Sequence, residues 1–215
     1  MFSIKEALKF GWEKVKNDLG FFLALMFVVL LIYFIPATVS FLLTEQGFVW
    51  TSLGIDVISF VLTAIVGLGL VRIALNFYKG EESHIETLVS CYHLFPKYFL
   101  AFIIYILAVG FGLFLFIIPG IYISLRLWFF DYFLVDEECG AVESLKKSFG
   151  ATKGNVLKLL LFLLIAGLVN LVGALVLLVG LFVTIPLTIL ATAFVYKEIS
   201  GSDNDDHDHD HDDES

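Results

Sequence analysis

The chain has 215 residues, 59% of them hydrophobic and only 16% charged, with a mean hydropathy of +0.92. Soluble domains average about 45–50% apolar and about 25% charged residues, so this balance excludes an ordinary soluble domain. The formal net charge is −9, but all 13 Lys and Arg and 14 of the 22 Asp and Glu precede residue 201, so the body is nearly neutral and neither nucleic acid nor an acidic partner is implied.

In chain order, Ser3–Asp18 reads as a short amphipathic helix. Ile4, Ala7, Leu8, Gly11, Trp12 and Val15 fall on one face, and Lys5, Glu6, Lys9, Glu13, Lys14 and Lys16 on the other. A basic amphipathic helix of this kind belongs at the headgroup boundary. Leu19–Leu43 carries no charge and is long enough for one membrane-spanning helix, which needs about 20 apolar residues; Pro36 predicts a kink in it. The second span is predicted from Thr51 to Tyr78, with Asp56 near its start and Arg72 near its end. A second surface segment opens at Ser83. Two spans follow from Tyr98 to about Val135, predicted to turn around Gly110-Phe111-Gly112 and Pro119-Gly120. A third surface segment begins at Cys139. The uncharged run Leu159–Tyr196, 38 residues long, holds the last two spans, divided near Gly180, with Pro186 in the sixth. Residues 201–215 read as a disordered acidic tail of His and Asp.

The three surface segments align without gaps. Ser3, Ser83 and Gly140 coincide, as do Glu6, Glu86 and Glu143, and Trp12, Tyr92 and Phe149. Ser-x-x-Glu is the capping box, in which each residue satisfies a free N–H at the start of a helix. Asn17-Asp18, Pro96 and Gly154-Asn155 are predicted to stop each copy. The fold class is thus an all-α integral membrane protein. Its six spans form three hairpins in residues 1–200, as repeats at about 3–78, 83–136 and 140–199, each preceded by a cytoplasmic interfacial amphipathic helix.

Orientation follows from the basic residues, which stay on the cytoplasmic side. None lies in the loops at 44–50, 110–118 or 178–184, which predicts a multi-pass protein of the cytoplasmic membrane with both termini inside. No cleavable signal peptide is expected, since the first apolar run is too long and an amphipathic helix precedes it. Cys91 and Cys139 then lie in a reducing compartment and are predicted to be free thiols.

The run Ile118-Pro119-Gly120-Ile121, Arg126-Leu127, Val135-Asp136-Glu137, Val142-Glu143-Ser144-Leu145-Lys146-Lys147-Ser148 and Lys153-Gly154-Asn155 resembles a broad prokaryotic family of multi-pass membrane proteins. That family includes the membrane domain attached to some glycerophosphoryl diester phosphodiesterases. The likeness covers about residues 1–200 and implies a six-helix membrane fold. With no hydrolase domain appended, it does not carry over the phosphodiesterase activity.

Few residues suggest chemistry. Arg126, ten positions before Asp136, would sit about 15 Å along a continuous helix, well inside the hydrocarbon. An intramembrane charge faces the bundle interior with a partner, marks a substrate or ion site, or snorkels to headgroups. Asp131 is a candidate partner, but i+5 is a poor helical pairing distance, so it is expected at the inner rim, paired with another helix. Arg72 is read as snorkelling, Asp56 as solvated, and Asn170 as interhelical hydrogen-bond glue. Lys146, Lys147 and Lys153 are read as facing lipid and attracting anionic headgroups. His207, His209 and His211 alternate with Asp and could hold Zn, Ni or Cu weakly; otherwise no cofactor is expected. No polar cluster at one membrane level, such as a membrane hydrolase needs, is visible. The sequence therefore predicts a non-enzymatic membrane protein that organises lipid or a protein partner at the cytoplasmic face, with a small-solute or ion transporter with a site near Arg126 as the alternative.

Overall fold

The computed structural model describes residues 2–176 and 179–208, with side chains as far as Gly201. Among the described residues there is no strand. The helices are α1 (Ile4–Asn17), α2 (Leu19–Glu45), α3 (Val49–Lys79), α4 (Thr87–Ser90), α5 (Phe95–Leu115), α6 (Ile117–Arg126), α7 (Phe130–Glu137), α8 (Ala141–Ala151), α9 (Val156–Leu175) and α10 (Leu181–Asp208), with a 3₁₀ turn at Tyr92–Leu94 before α5. Six stretches are long and apolar enough to cross a bilayer: α2, α3, Thr87–Leu115, Ile117–Glu137, α9 and Leu181–Gly201. The protein is an all-α membrane protein of the class its hydropathy predicts. Its outward faces carry large bare side chains, Phe114 at 88% and Leu157 at 80% exposure among them, an apolar surface that only lipid can cover.

Consecutive spans lie side by side: α2 on α3, α5 on α6, and α9 on α10. The turn expected at Gly110–Gly112 lies further on. α5 continues through both glycines to Leu115, and the chain reverses at Phe116, which is extended at φ −160° and ψ 153°. Pro119 is the reason: it falls in the first turn of α6, where its missing N–H leaves no helical bond unmade.

The three surface segments differ from one another. α1 and α8 are helices of 14 and 11 residues, whereas the second copy is one turn of four residues followed by the 3₁₀ turn. Pro96 does not end that copy; it occupies the first turn of α5. The capping boxes differ accordingly. Ser3 Oγ accepts the Glu6 N–H at 3.4 Å, Glu143 accepts the Gly140 N–H at 3.5 Å, and the buried Ser83 hydroxyl has no partner. Nor are the apolar stripes of α1 and α8 simply laid on lipid. Ala7, Gly11 and Val15 are buried, with α1 packed along α10, while Trp12 stays half-exposed. Gly11 permits this approach, since a Cβ there would collide with the backbone carbonyl of Leu187.

Gly69 does the same for the second segment. Its missing Cβ is the space that the backbone of Leu88 occupies, which seats α4 on α3. Gly69→Val is expected to force the two apart and to lower stability by about 2 kcal/mol, a fall of about 5 °C in the melting temperature of the detergent-solubilised protein. An unchanged melting temperature would show that α4 is not docked there. At the other end of the chain, α10 runs from Leu181 to Asp208.

Candidate functional site

The fourth span is broken. α6 stops at Arg126, and Leu127–Phe129 form a turn before α7 begins. A gap in a helix leaves backbone groups unpaired, which inside hydrocarbon costs several kcal/mol per group unless neighbours supply bonds. α8 supplies them. The Ser148 and Thr152 hydroxyls donate to the Arg126 carbonyl at 3.1 and 3.0 Å, and the Phe129 N–H donates to Ser148 Oγ at 3.0 Å. Both hydroxyl side chains are buried. The 15 Å helical run expected between Arg126 and Asp136 is therefore interrupted, and the two residues belong to different helices.

The break also separates Arg126 from Asp131. The Arg126 guanidinium lies 3.9 Å from the centre of the Phe149 ring, with Nη1 3.4 Å from the Tyr122 hydroxyl, and its Nε is buried without a partner. Cation–π contact with Phe149 stands where a carboxylate was expected. Asp131 instead opens α7, where its Oδ1 accepts the Tyr132 N–H at 2.9 Å. Among the described residues no Lys, Arg or His lies within ion-pair distance of it. A carboxylate held in an apolar bundle without a cation is a costly arrangement.

Two cavities meet at this carboxylate. One, of about 490 Å³, lies between α3, α5, α7 and α10, walled by Tyr98, Phe102, Tyr105, Trp128, Phe130 and Tyr132. The other, of about 230 Å³, is bounded by Tyr33 of α2, by Phe60, Thr63 and Ala64 of α3, and by Tyr98. Gly67, Tyr98 and Asp131 line both. The rings form a ladder: Tyr98 stacks on Phe102 and on Phe130 at 5.8 Å each, and Tyr105 on Phe130 at 5.5 Å. A carboxylate and several tyrosines thus share one level of the bundle.

Below the cavities the last turn of α7 gathers charge. Asp136 accepts from the Tyr196 hydroxyl at 3.0 Å and from Lys197 at 2.5 Å, with Lys79 at 3.4 Å. Glu138 binds Arg72 at 3.0 Å, His93 lies 3.7 Å away, and the Glu138 carbonyl accepts from Lys97 at 2.7 Å. Glu138 holds φ at +52°, a left-handed conformation unfavourable for a residue with a side chain. Phe129, Tyr132, Phe133 and Tyr196 pack edge and face against one another beside this layer. α3, α5 and α10 are thereby tied to α7 just beneath the site.

The remaining sequence candidates are dispersed. Arg72 is committed to Glu138 across two helices. Asp56 is exposed near the start of α3. Asn170 Nδ2 donates to Thr188 Oγ1 at 3.2 Å, linking α9 to α10. Lys147 bonds to Glu137 and, at 3.1 Å, to Glu143; these bonds push its own ionisation upward and hold the Glu143 carboxyl below its usual range. Lys146 and Lys153 are exposed. Cys91 and Cys139 are both free, and burial pushes the Cys139 thiol up, away from a reactive thiolate. Among the described residues no three His, Cys, Asp or Glu come together. The proposed metal ligands His207, His209 and His211 lie outside the described side chains. Sequence reasoning missed Tyr33, Tyr98, Tyr105 and Tyr132. The available signal was Tyr98, Phe102 and Tyr105 at i, i+4 and i+7 on one helix face.

Six long apolar spans define a multi-pass α-helical membrane protein. No family model matches the chain, and no curated protein and no solved structure is significantly similar to it.

Proposed function

We propose that the protein is a non-enzymatic carrier of the cytoplasmic membrane that binds a positively charged solute at Asp131. The distribution of Lys and Arg supports an orientation with both termini on the cytoplasmic side. The observation that carries this reading is Asp131 itself, a carboxylate without a cation partner that borders two cavities in the middle of the spans. An intramembrane ionisable group of this kind is a binding site by default. The broken fourth span supports it, since discontinuous helices form the solute sites of many carriers. On this reading the layer around Asp136 and Glu138 is the closed inner gate. The runner-up from sequence, a transporter site at Arg126, moves one helix along, to Asp131.

The test is uptake into proteoliposomes holding the full chain, driven by an inside-negative diffusion potential. Radiolabelled sodium, potassium, calcium and tetraethylammonium serve as probes. Accumulation of at least one of them above protein-free liposomes supports the reading, and no accumulation of any overturns it.

A second reading concerns lipid. Lys146 and Lys153 are exposed beside Phe149, itself 45% exposed, and neither forms an ion pair among the described residues. They suit anionic headgroups, at about 1 kcal/mol per charge near the surface. Replacing both with Ala is expected to reduce retention of phosphatidylglycerol in native mass spectrometry by about fivefold per charge, and unchanged retention counts against it. Lys147, held by Glu137 and Glu143, contributes less.

A further inference from the structure

The chemistry of the cavity walls narrows the kind of cation, an inference that rests on the carrier reading above. Asp131 is the one carboxylate among the residues lining either cavity. The threonine O–H groups there donate to carbonyls of their own helices, Thr63 to Phe60, Thr188 to Ile185 and Thr192 to Thr188, and the Tyr132 hydroxyl donates to the Ile189 carbonyl at 3.5 Å. Asp131 is thus the one full negative charge that a cation meets among the lining residues, which suits a monovalent cation better than a divalent one, whose binding rises with the number of charged ligands. Eight of the residues lining the two cavities are aromatic, and aromatic rings attract cations that carry little hydration and an apolar body.

We propose that the solute is a monovalent organic cation, a quaternary ammonium or an aromatic amine, held by Asp131 and by the aromatic rings that line the two cavities. Tyr98 determines the selectivity. It lines both cavities together with Asp131, so a charge beside the carboxylate lies next to its ring. Gly67 sets the size limit at the junction. A Cβ built there meets nothing within 4 Å, so a larger side chain occupies cavity and not protein.

Binding of radiolabelled tetraphenylphosphonium to the full chain in nanodiscs, corrected for empty nanodiscs, tests this. Saturable binding is expected. It should be lost in Asp131→Asn and weakened about tenfold in Tyr98→Ala, with Tyr98→Phe close to wild type because the ring is kept. Gly67→Leu should weaken it comparably without lowering the melting temperature. An excess of sodium or calcium chloride should not displace the probe beyond the effect of ionic strength. No saturable binding, or binding indifferent to Asp131 and Gly67, overturns the organic-cation assignment. If sodium, potassium or calcium uptake depends on Asp131 in the same preparation, the carrier reading stands without it; if no cation is taken up, both fall together.

Discussion

Asp131→Asn is expected to abolish cation uptake and, at the same time, to make the protein more stable. The two effects have one cause. Asn keeps the acceptor oxygen that takes the Tyr132 N–H and nearly the same volume, so the start of α7 is preserved. What disappears is a charge that no described Lys, Arg or His balances. Relieving a partly buried charge that has no described counter-ion stabilises by about 1 kcal/mol, a rise of about 2–4 °C in melting temperature. Losing the ion pair with the solute should reduce uptake by about a hundredfold, the equivalent of about 3 kcal/mol. Function traded against stability in this way marks a site held under strain. A variant that loses uptake because it is misfolded shows the opposite sign in the melting curve. A variant with wild-type uptake would remove Asp131 from the mechanism.

Asp136→Asn should be the most destabilising of the polar substitutions. Its carboxylate is only 10% exposed and holds Lys197, Lys79 and the Tyr196 hydroxyl together. Removing one member of a buried network leaves the others charged and unpaired, at about 3–5 kcal/mol; with Lys79 40% exposed and able to reach water, about 3 kcal/mol is the better expectation. That corresponds to a melting temperature lower by about 10 °C. If this layer is the inner gate, the same variant should expose a cysteine placed at Thr192, on the cavity wall, to a membrane-impermeant thiol reagent added from the charged side. Reconstituted protein with the native cysteines replaced provides the measurement. Labelling equal to that in the Asp136 parent would mean that the layer holds the fold together and gates nothing.

The six spans were legible because uncharged runs of about 20 residues have no other use, and their order along the chain was right throughout. The surface segments were legible only as sequence. Their shared pattern does not say that α1 finds α10, or that the second copy shrinks to one turn because Pro96 starts α5 early. The site was half-legible. Asp131 stands out in the sequence as an intramembrane acid, but the apolar run around it predicts one helix from Arg126 to Asp136, on which the two charges sit five positions apart. The break that parts them depends on Ser148 and Thr152, 22 and 26 residues beyond Arg126. Hydroxyls on an amphipathic helix look like ordinary polar positions until the carbonyl they bond is known. The tyrosines were hidden for a related reason. Tyr33, Tyr98, Tyr105 and Tyr132 come from three different helices, α2, α5 and α7, and each alone reads as a membrane-embedded aromatic.

The dependence of the fourth span on α8 bears on how the chain is made. When Ile117–Glu137 leaves the ribosome, the hydroxyls that complete its backbone bonds are still inside the exit tunnel. The span must therefore enter the bilayer unfinished, as a straight helix or in the shelter of the insertion machinery, and acquire its bend only once residue 152 has emerged. Truncation before Ser148 should leave a nascent chain whose fourth segment is inserted but whose Asp131 pocket has never formed.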